Sequence, residues 1–167
     1  KYAPNKKLVY NQNGGMQIPM WEKLKETVMY LKSKGQRVDG IGWQGHLMNN
    51  NGLKQFVENL DEELKKLSDL IDWAHSNKLE FHITELDYYN DGENNIFNSV
   101  KKQAEVYQKL MDLLQEKSKN GLVTVNFWSM GERISSRGKK GHYMSIYDND
   151  TIPTKTYEVV KKFINFD

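Results

Sequence analysis

The sequence predicts an α/β fold in which four β/α units follow one another along 167 residues. Short apolar runs rich in β-branched residues alternate with stretches in which apolar residues recur every three to four positions. Glycine-rich or polar turns separate the two kinds of segment. This alternation indicates a parallel sheet with right-handed crossovers, either open and doubly wound or part of a barrel.

The first two units are read from their apolar periodicity and their turns. The strand Leu8–Tyr10 runs into a glycine-rich turn, and the helix Trp21–Lys34 follows it and stops at Gly35. The next strand, Val38–Trp43, leads through a polar loop to the helix Asp61–Ser76.

The other two units repeat the same order. The strand Phe81–Thr84 precedes a helix over about Asn95–Lys119, and the strand Leu122–Trp128 precedes a long polar loop and a closing helix over about Lys155–Ile164. The run Lys54–Lys66 mixes both signs of charge at helical spacing and is interpreted as a solvated helix face. No linker is evident, so residues 1–167 are expected to form one domain.

Composition excludes several function classes. Lys plus Arg total 24 against 22 Asp plus Glu, a net charge of +2 that indicates no nucleic-acid or acidic-polymer partner. The absence of cysteine removes disulfides, thiolate metal sites and a Cys nucleophile. No apolar run approaches the roughly 18 residues of a membrane span, so no membrane partner is expected. No Gly-x-Gly-x-x-Gly or Walker pattern follows a strand, which argues against nucleotide binding.

Two carboxylates stand at alternate positions where the third strand ends. Residues two apart on a strand share a face, so Glu85 and Asp87 can point toward one site. Gln44 and His46 alternate in the same way at the end of the neighbouring strand, and His46 can donate one N–H to Glu85 and the other to Asp87. Such bonds hold a nucleophilic carboxylate charged and aim its oxygen. Capping or loop carboxylates and a structural histidine are the alternatives.

An indole closes the fourth strand. Trp128 can form the floor of a sugar subsite by stacking on a pyranose face, with core packing as the alternative, and Glu132 lies shortly beyond it. Polar and titratable residues thus collect at the carboxyl ends of the strands. In a β/α barrel this is the active-site face.

Three segments occur in the order and spacing of a known enzyme family. They are Val38–His46, His82–Asp87 and Phe127–Trp128, with weaker matches over Asn5–Asn11, Ile146–Asp148 and Pro153–Tyr157. In these motifs the chain resembles glycoside hydrolase family 10, the endo-β-1,4-xylanases. The resemblance implies an α/β fold that forms the C-terminal half, strands five to eight, of a TIM (β/α)8 barrel.

The resemblance also implies a chemistry and a substrate. It implies a retaining endo-β-1,4-xylanase without a cofactor or metal, acting on xylan or xylo-oligosaccharides, and a secreted or cell-surface location. The residues it implies are Glu85 as nucleophile, His46 and Asp87 as further catalytic residues, and Gln44, Trp128, Asn11 and Glu132 in substrate binding.

A retaining mechanism needs a second carboxyl about 5 to 5.5 Å from the first. In the family this acid/base lies at the end of the fourth strand in an Asn-Glu pair. No strand here ends in Asn-Glu, since the Glu-Asn pairs at Glu58 and Glu93 fall in helical or loop sequence. A complete barrel also needs about 250 residues. The acid/base is therefore expected to be missing from this chain.

The chain departs from the family pattern in two places. Ser129–Ser136 replaces the usual Gly-Val-Thr-Asp and a later tryptophan, and Asn11–Gly14 replaces Asn-Asp-Tyr-Asn. These changes indicate a divergent member or a substrate other than plain xylan.

A half-barrel would expose two strand edges and a hydrophobic inner face, which predicts a partner: the missing N-terminal half-barrel or a second copy of the chain. A different reading is a non-catalytic carbohydrate-binding remnant, in which Glu85 only binds hydroxyls and four aromatic side chains stack on sugars: Trp43, Tyr88, Tyr89 and Trp128. A metal-dependent hydrolase using His46, His82, Glu85 and Asp87 is disfavoured, because strict alternation puts His82 and Glu85 on opposite faces of the strand.

Overall fold

The computed structural model describes residues 4–13, 18–47, 52–88, 100–128, 146–148 and 150–164. Five strands and five helices are formed by these residues. In chain order they are β1 (Val9–Gln12), α1 (Ile18–Ser33), β2 (Gly40–Trp43), β3 (His46–Leu47), α2 (Gly52–Glu58), α3 (Leu60–Ser76), β4 (Glu80–Tyr88), α4 (Val100–Lys117), β5 (Val123–Phe127) and α5 (Lys155–Lys161).

The main sheet is parallel, with its strands in chain order: β1 pairs with β2, β2 with β4, and β4 with β5. A doubly wound sheet would reverse its strand order in the middle. Here each unit adds its strand on the same side of the previous one, so right-handed crossovers place the helices on one face. The sheet is therefore a segment of a β/α barrel, and the predicted α/β fold class is confirmed.

The apolar core lies between this sheet and its helices. Ile41 and Trp43 of β2 are buried, and the Trp43 ring meets Trp21 of α1 edge-on at a centroid distance of 6.3 Å. Phe81 and Ile83 of β4 face the same layer and are also fully buried. Burying each such side chain contributes about 1.5–3 kcal/mol, so this layer is the main source of stability.

The opposite face of the sheet, which would line the inside of a barrel, is polar and closely spaced. A Cβ on Gly40 would lie 2.9 Å from His82 Nε2, and one on Gly42 would lie 2.6 Å from Asn11 Oδ1. Thr84 also lies on this face, where its Cγ2 would be 3.1 Å from a Cβ on Gly42. The expectation of a hydrophobic inner face is therefore wrong, because small and polar residues alternate with the core-facing ones.

Element boundaries differ from the sequence-based expectations where polar residues form regular structure. The mixed-charge run Lys54–Lys66 is largely helical as predicted, in α2 and α3, but it is not solvated throughout, because Phe56 is buried against the core. Strand β4 continues through Glu85 and Asp87 to Tyr88 instead of stopping at Thr84. Gly35 ends α1 as predicted, with φ +70° and its N–H donated to the Lys32 carbonyl.

Candidate active site

The carboxyl ends of the four main strands bring the predicted site residues together through backbone hydrogen bonds. The Gln44 N–H donates to the Gln12 carbonyl at 3.1 Å, and the Gln44 carbonyl accepts the Glu85 N–H at 3.0 Å. The Trp128 N–H donates to the Leu86 carbonyl at 2.9 Å. Residues far apart in sequence are thus fixed side by side at one edge of the sheet.

His46 lies between the two carboxylates. Its Nδ1 is 2.9 Å from Asp87 Oδ1, and its Nε2 is 3.2 Å from Glu85 Oε2. Both ring nitrogens therefore have a carboxylate partner, which fixes the plane of the imidazole. The arrangement matches the one expected from the alternating motifs.

A left-handed glycine places His46. Gly45 has φ +76°, a conformation that residues with a Cβ rarely adopt, and a Cβ there would lie 2.9 Å from Ile83 Cγ2. The turn lets the chain leave β2 and form the short strand β3, in which His46 pairs in register with Asp87. The sequence Gln44-Gly45-His46 therefore folds back onto the end of β4.

Exposure rises steadily across this group. The Asp87 side chain is 1% exposed, His46 13% and Glu85 21%. Asp87 is thus the internal support, whereas Glu85 is open to a ligand. Behind Asp87, burial raises the pKa of the Tyr107 phenol, and the Asp87 charge raises it further, so this phenol stays neutral.

Trp128 borders the same group on its open side. Its ring meets His46 edge-on, with centroids 5.9 Å apart and planes at 85°. Trp128 is 42% exposed, so core packing does not account for it. Much of the indole is available to a ligand beside Glu85.

A second polar pair lies on the inner face next to the carboxylates. The Thr84 hydroxyl is 2.9 Å from Asn11 Oδ1 and 3.4 Å from the Trp43 carbonyl. Sequence reasoning selected Asn11 and missed Thr84, which it treated as one more apolar-strand residue. The signal was available, because Thr84 alternates with His82 on the inner face of β4.

Some of the side chains proposed to contact sugar are not part of this site. Trp43 is 1% exposed and Tyr88 is fully buried, so neither can stack on a sugar, and that expectation is wrong. Both rings point into the layer between sheet and helices. Tyr89 and Glu132 lie outside the described residues, as does the departure over residues 129–136.

His82 forms a separate contact deeper in the inner face. Its Nδ1 is 2.8 Å from Thr124 Oγ1, and its Nε2 is 3.5 Å from Glu80 Oε2. The argument that strict alternation separates His82 from Glu85 does not hold, because the pairing of β4 with β5 shifts register between Ile83 and Leu86. Within the described ranges, no group of three or more His, Asp or Glu side chains could hold a metal ion.

The family model described as glycosyl hydrolase family 10 matches residues 1–163. The chain belongs to this family. A β-1,4-xylanase of Dictyoglomus thermophilum is 28% identical over 96% of this chain and 46% of its own length. Endo-1,4-β-xylanase A of Thermoanaerobacterium saccharolyticum is 31% identical over 79% of this chain and 10% of its own length.

Solved family 10 structures share the fold. A psychrophilic family 10 endo-β-1,4-xylanase aligns over 98% of this chain and 46% of its own, with a TM-score of 0.73 and 24% identity. Xylanase 10B from Thermotoga maritima aligns over 96% and 47%, with a TM-score of 0.67 and 24% identity. The chain spans about half the length of these proteins, and its four β/α units form half of the family's TIM barrel.

The family 10 motifs therefore coincide with the site. Val38–His46 supplies Gln44 and His46, and His82–Asp87 supplies the two carboxylates. Phe127–Trp128 supplies the exposed indole. As for a membrane, no helix among the described residues is long and apolar enough to cross one.

Proposed function

We propose that residues 1–167 form the nucleophile side of a retaining endo-β-1,4-xylanase site, with Glu85 as the nucleophile. The observation that carries the proposal is His46 held between Glu85 and the buried Asp87, at the carboxyl edge of a family 10 half-barrel. Catalytic carboxylates of β/α barrels are placed at this edge.

In the first step a Glu85 carboxylate oxygen attacks the anomeric carbon of a xylose unit. The bond from that carbon to the leaving oxygen breaks, and a carboxylic acid supplied from outside this chain gives the oxygen its proton. In the second step the same group, now a carboxylate, takes a proton from water. The water oxygen attacks the anomeric carbon and releases Glu85, so the original configuration is restored.

His46 and Asp87 support the nucleophile. With a hydrogen on each ring nitrogen, His46 donates to Glu85 and to Asp87 at the same time. The hydrogen bond to Glu85 holds one carboxylate oxygen and aims the other at the sugar. Asp87 is buried and hydrogen-bonded to the ring, so it prevents the imidazole from turning.

Trp128, Gln44, Asn11 and Glu132 are proposed to bind the sugar chain. The exposed Trp128 ring offers an apolar face to a pyranose. Asn11 lies near the end of β1, two strands from β4, and contacts Thr84, the residue before Glu85. Relatives named as xylanases and a similar solved structure described in complex with xylotriose support xylan or xylo-oligosaccharides as the substrate class. No cofactor is required.

The acid/base and the rest of the barrel are proposed to come from an N-terminal half-barrel. In the described part of the sheet, β1 pairs only with β2 and β5 only with β4 among the main strands, which leaves two edges for further parallel strands. A second copy of the chain could cover these edges. It would bring a second Glu85 rather than the Asn-Glu carboxyl. By family resemblance the assembled enzyme is expected to be secreted or cell-surface.

The decisive assay compares hydrolysis of xylan and of an aryl β-xylobioside by the chain alone and by the chain co-produced with the N-terminal half of a family 10 barrel. We expect activity in the combination and its loss in Glu85→Ala. Retention of activity in Glu85→Ala would refute the assignment of the nucleophile.

The alternative of a carbohydrate-binding remnant keeps one supporting observation, the exposed ring of Trp128. Two of its four proposed stacking residues, Trp43 and Tyr88, are buried. Sugar binding that survives Glu85→Ala, with no hydrolysis by either preparation, would favour it over the enzyme.

A further inference from the structure

We propose that Thr84 is a positioning residue: it orients the side-chain amide of Asn11 so that the amide N–H can donate a hydrogen bond to a substrate in the cleft. The inference rests on the proposed function, because the group that receives the donor is a sugar hydroxyl. It adds to the site a residue that has no direct contact with the reacting atoms.

The bond between the two side chains sets the orientation. A threonine hydroxyl has one hydrogen, and here it lies 2.9 Å from Asn11 Oδ1 but 3.4 Å from the Trp43 carbonyl. Because a shorter distance makes a stronger hydrogen bond, the hydroxyl donates to Asn11 Oδ1 and not to the Trp43 carbonyl. That bond fixes the oxygen as the end of the amide that meets Thr84, so the NH2 is the end left for a ligand.

The positions of the two residues place that donor beside the nucleophile. Asn11 belongs to the carboxyl end of β1, pairs in register with Gly42 and is exposed. Thr84 directly precedes Glu85 in β4, so the residue that orients the amide is joined by one peptide bond to the nucleophile. A shift of Glu85 and a shift of the donor are therefore linked.

Gly42 makes the contact possible across an intervening strand. A Cβ at position 42 would lie 2.6 Å from Asn11 Oδ1, closer than unbonded atoms tolerate, and at a tight 3.1 Å from Thr84 Cγ2. The glycine thus leaves room for two side chains from β1 and β4 to meet over β2. The contact between Asn11 and Thr84 therefore depends on three strands of the sheet, and the two residues are far apart in the sequence.

The test is a double-mutant cycle on xylotriose binding, made on the preparation that hydrolyses xylan in the assay above. Thr84→Val removes the hydroxyl at nearly constant shape and should weaken binding about three- to tenfold, whereas Thr84→Ser should restore it. Thr124→Val is the matched control on the same face, because Thr124 contacts His82 and not Asn11. It should leave binding unchanged.

The cycle separates positioning from general structural damage. If Thr84 acts through Asn11, the Thr84→Val/Asn11→Ala double variant should bind as weakly as Asn11→Ala alone. Losses that multiply, or unchanged binding in Thr84→Val, would overturn the inference. The ¹⁵N resonances of the Asn11 side-chain amide give a second readout, expected to move in Thr84→Val and to return in Thr84→Ser.

The second readout also distinguishes the two proposals. If no preparation binds or hydrolyses a xylo-oligosaccharide, the proposed function fails. The Asn11 amide resonances of the 167-residue chain then decide the inference by themselves, because unchanged resonances in Thr84→Val would refute it.

Discussion

Replacing Gly45 by alanine should disturb both the fold and the site, and Gly35 provides a matched control. Both glycines have a left-handed backbone, with φ +76° at Gly45 and +70° at Gly35. An L residue in this conformation costs about 1–2 kcal/mol, so both substitutions should lose at least that much stability.

Only Gly45 adds a steric conflict. An alanine Cβ there would lie only 2.9 Å from Ile83 Cγ2, with Leu86 Cδ1 in ordinary contact at 3.5 Å, whereas nothing lies within 4 Å of one at Gly35. Ile83 and Leu86 are buried and cannot move into solvent. Overpacking of this kind costs about 1–3 kcal/mol. Gly45→Ala should therefore lose about 2–5 kcal/mol in total.

The assay is equilibrium unfolding in urea at constant m-value, followed by hydrolysis of the aryl xylobioside in the completed barrel. Because Gly45 precedes His46, we expect Gly45→Ala to lower turnover at least tenfold and Gly35→Ala to leave it unchanged. Equal losses of stability in the two variants, or full turnover in Gly45→Ala, would refute the role assigned to this turn.

Two further predictions concern stability. Leu67→Ala empties a fully buried position in α3 and should cost about 2–5 kcal/mol, whereas Lys65→Ala breaks only an exposed ion pair with Asp69 and should cost less than about 1 kcal/mol in the same urea titration. Comparable losses would contradict the assignment of the core. Burial raises the pKa of Tyr88 and of Tyr107 above the ordinary value of 10.0, so the stability they confer is fully present below about pH 10 and is lost as pH rises above it. The decline should reach at most about 1.4 kcal/mol per pH unit for each tyrosine, and Tyr107→Phe should make it shallower; an unchanged slope would contradict the burial argument.

Most of the architecture could be predicted because the strands and helices differ in apolar period. The order of four β/α units and the helix stop at Gly35 followed from that pattern alone. The choice between a barrel and a doubly wound sheet did not, because it depends on strand order, which local periodicity does not determine. The mixed charges of Lys54–Lys66 indicated a helix but not its buried side, because only Phe56 and Val57 among the described side chains of α2 are buried.

The candidate site was predicted only in part, because strand alternation shows which residues share a face but not which side chains touch. Alternation along strands correctly brought Glu85, His46 and Asp87 within reach of one another. It could not reveal that Thr84 contacts Asn11, because that contact crosses β2 and depends on Gly42. Nor could it separate the exposed Trp128 from the buried Trp43, since both indoles end a strand and only packing against Trp21 distinguishes them.

Covalent trapping tests the central claim, that Glu85 is the nucleophile, most directly. A dinitrophenyl 2-deoxy-2-fluoro-β-xylobioside carries a leaving group that departs without protonation, and its fluorine slows the release of the sugar from the enzyme. The chain should be incubated with it alone and with the N-terminal half-barrel, and its peptides should be identified by mass spectrometry. We predict one xylobiosyl adduct on the peptide containing Glu85 and none in Glu85→Gln. Labelling of a different carboxylate, or no adduct in either preparation, would contradict the account.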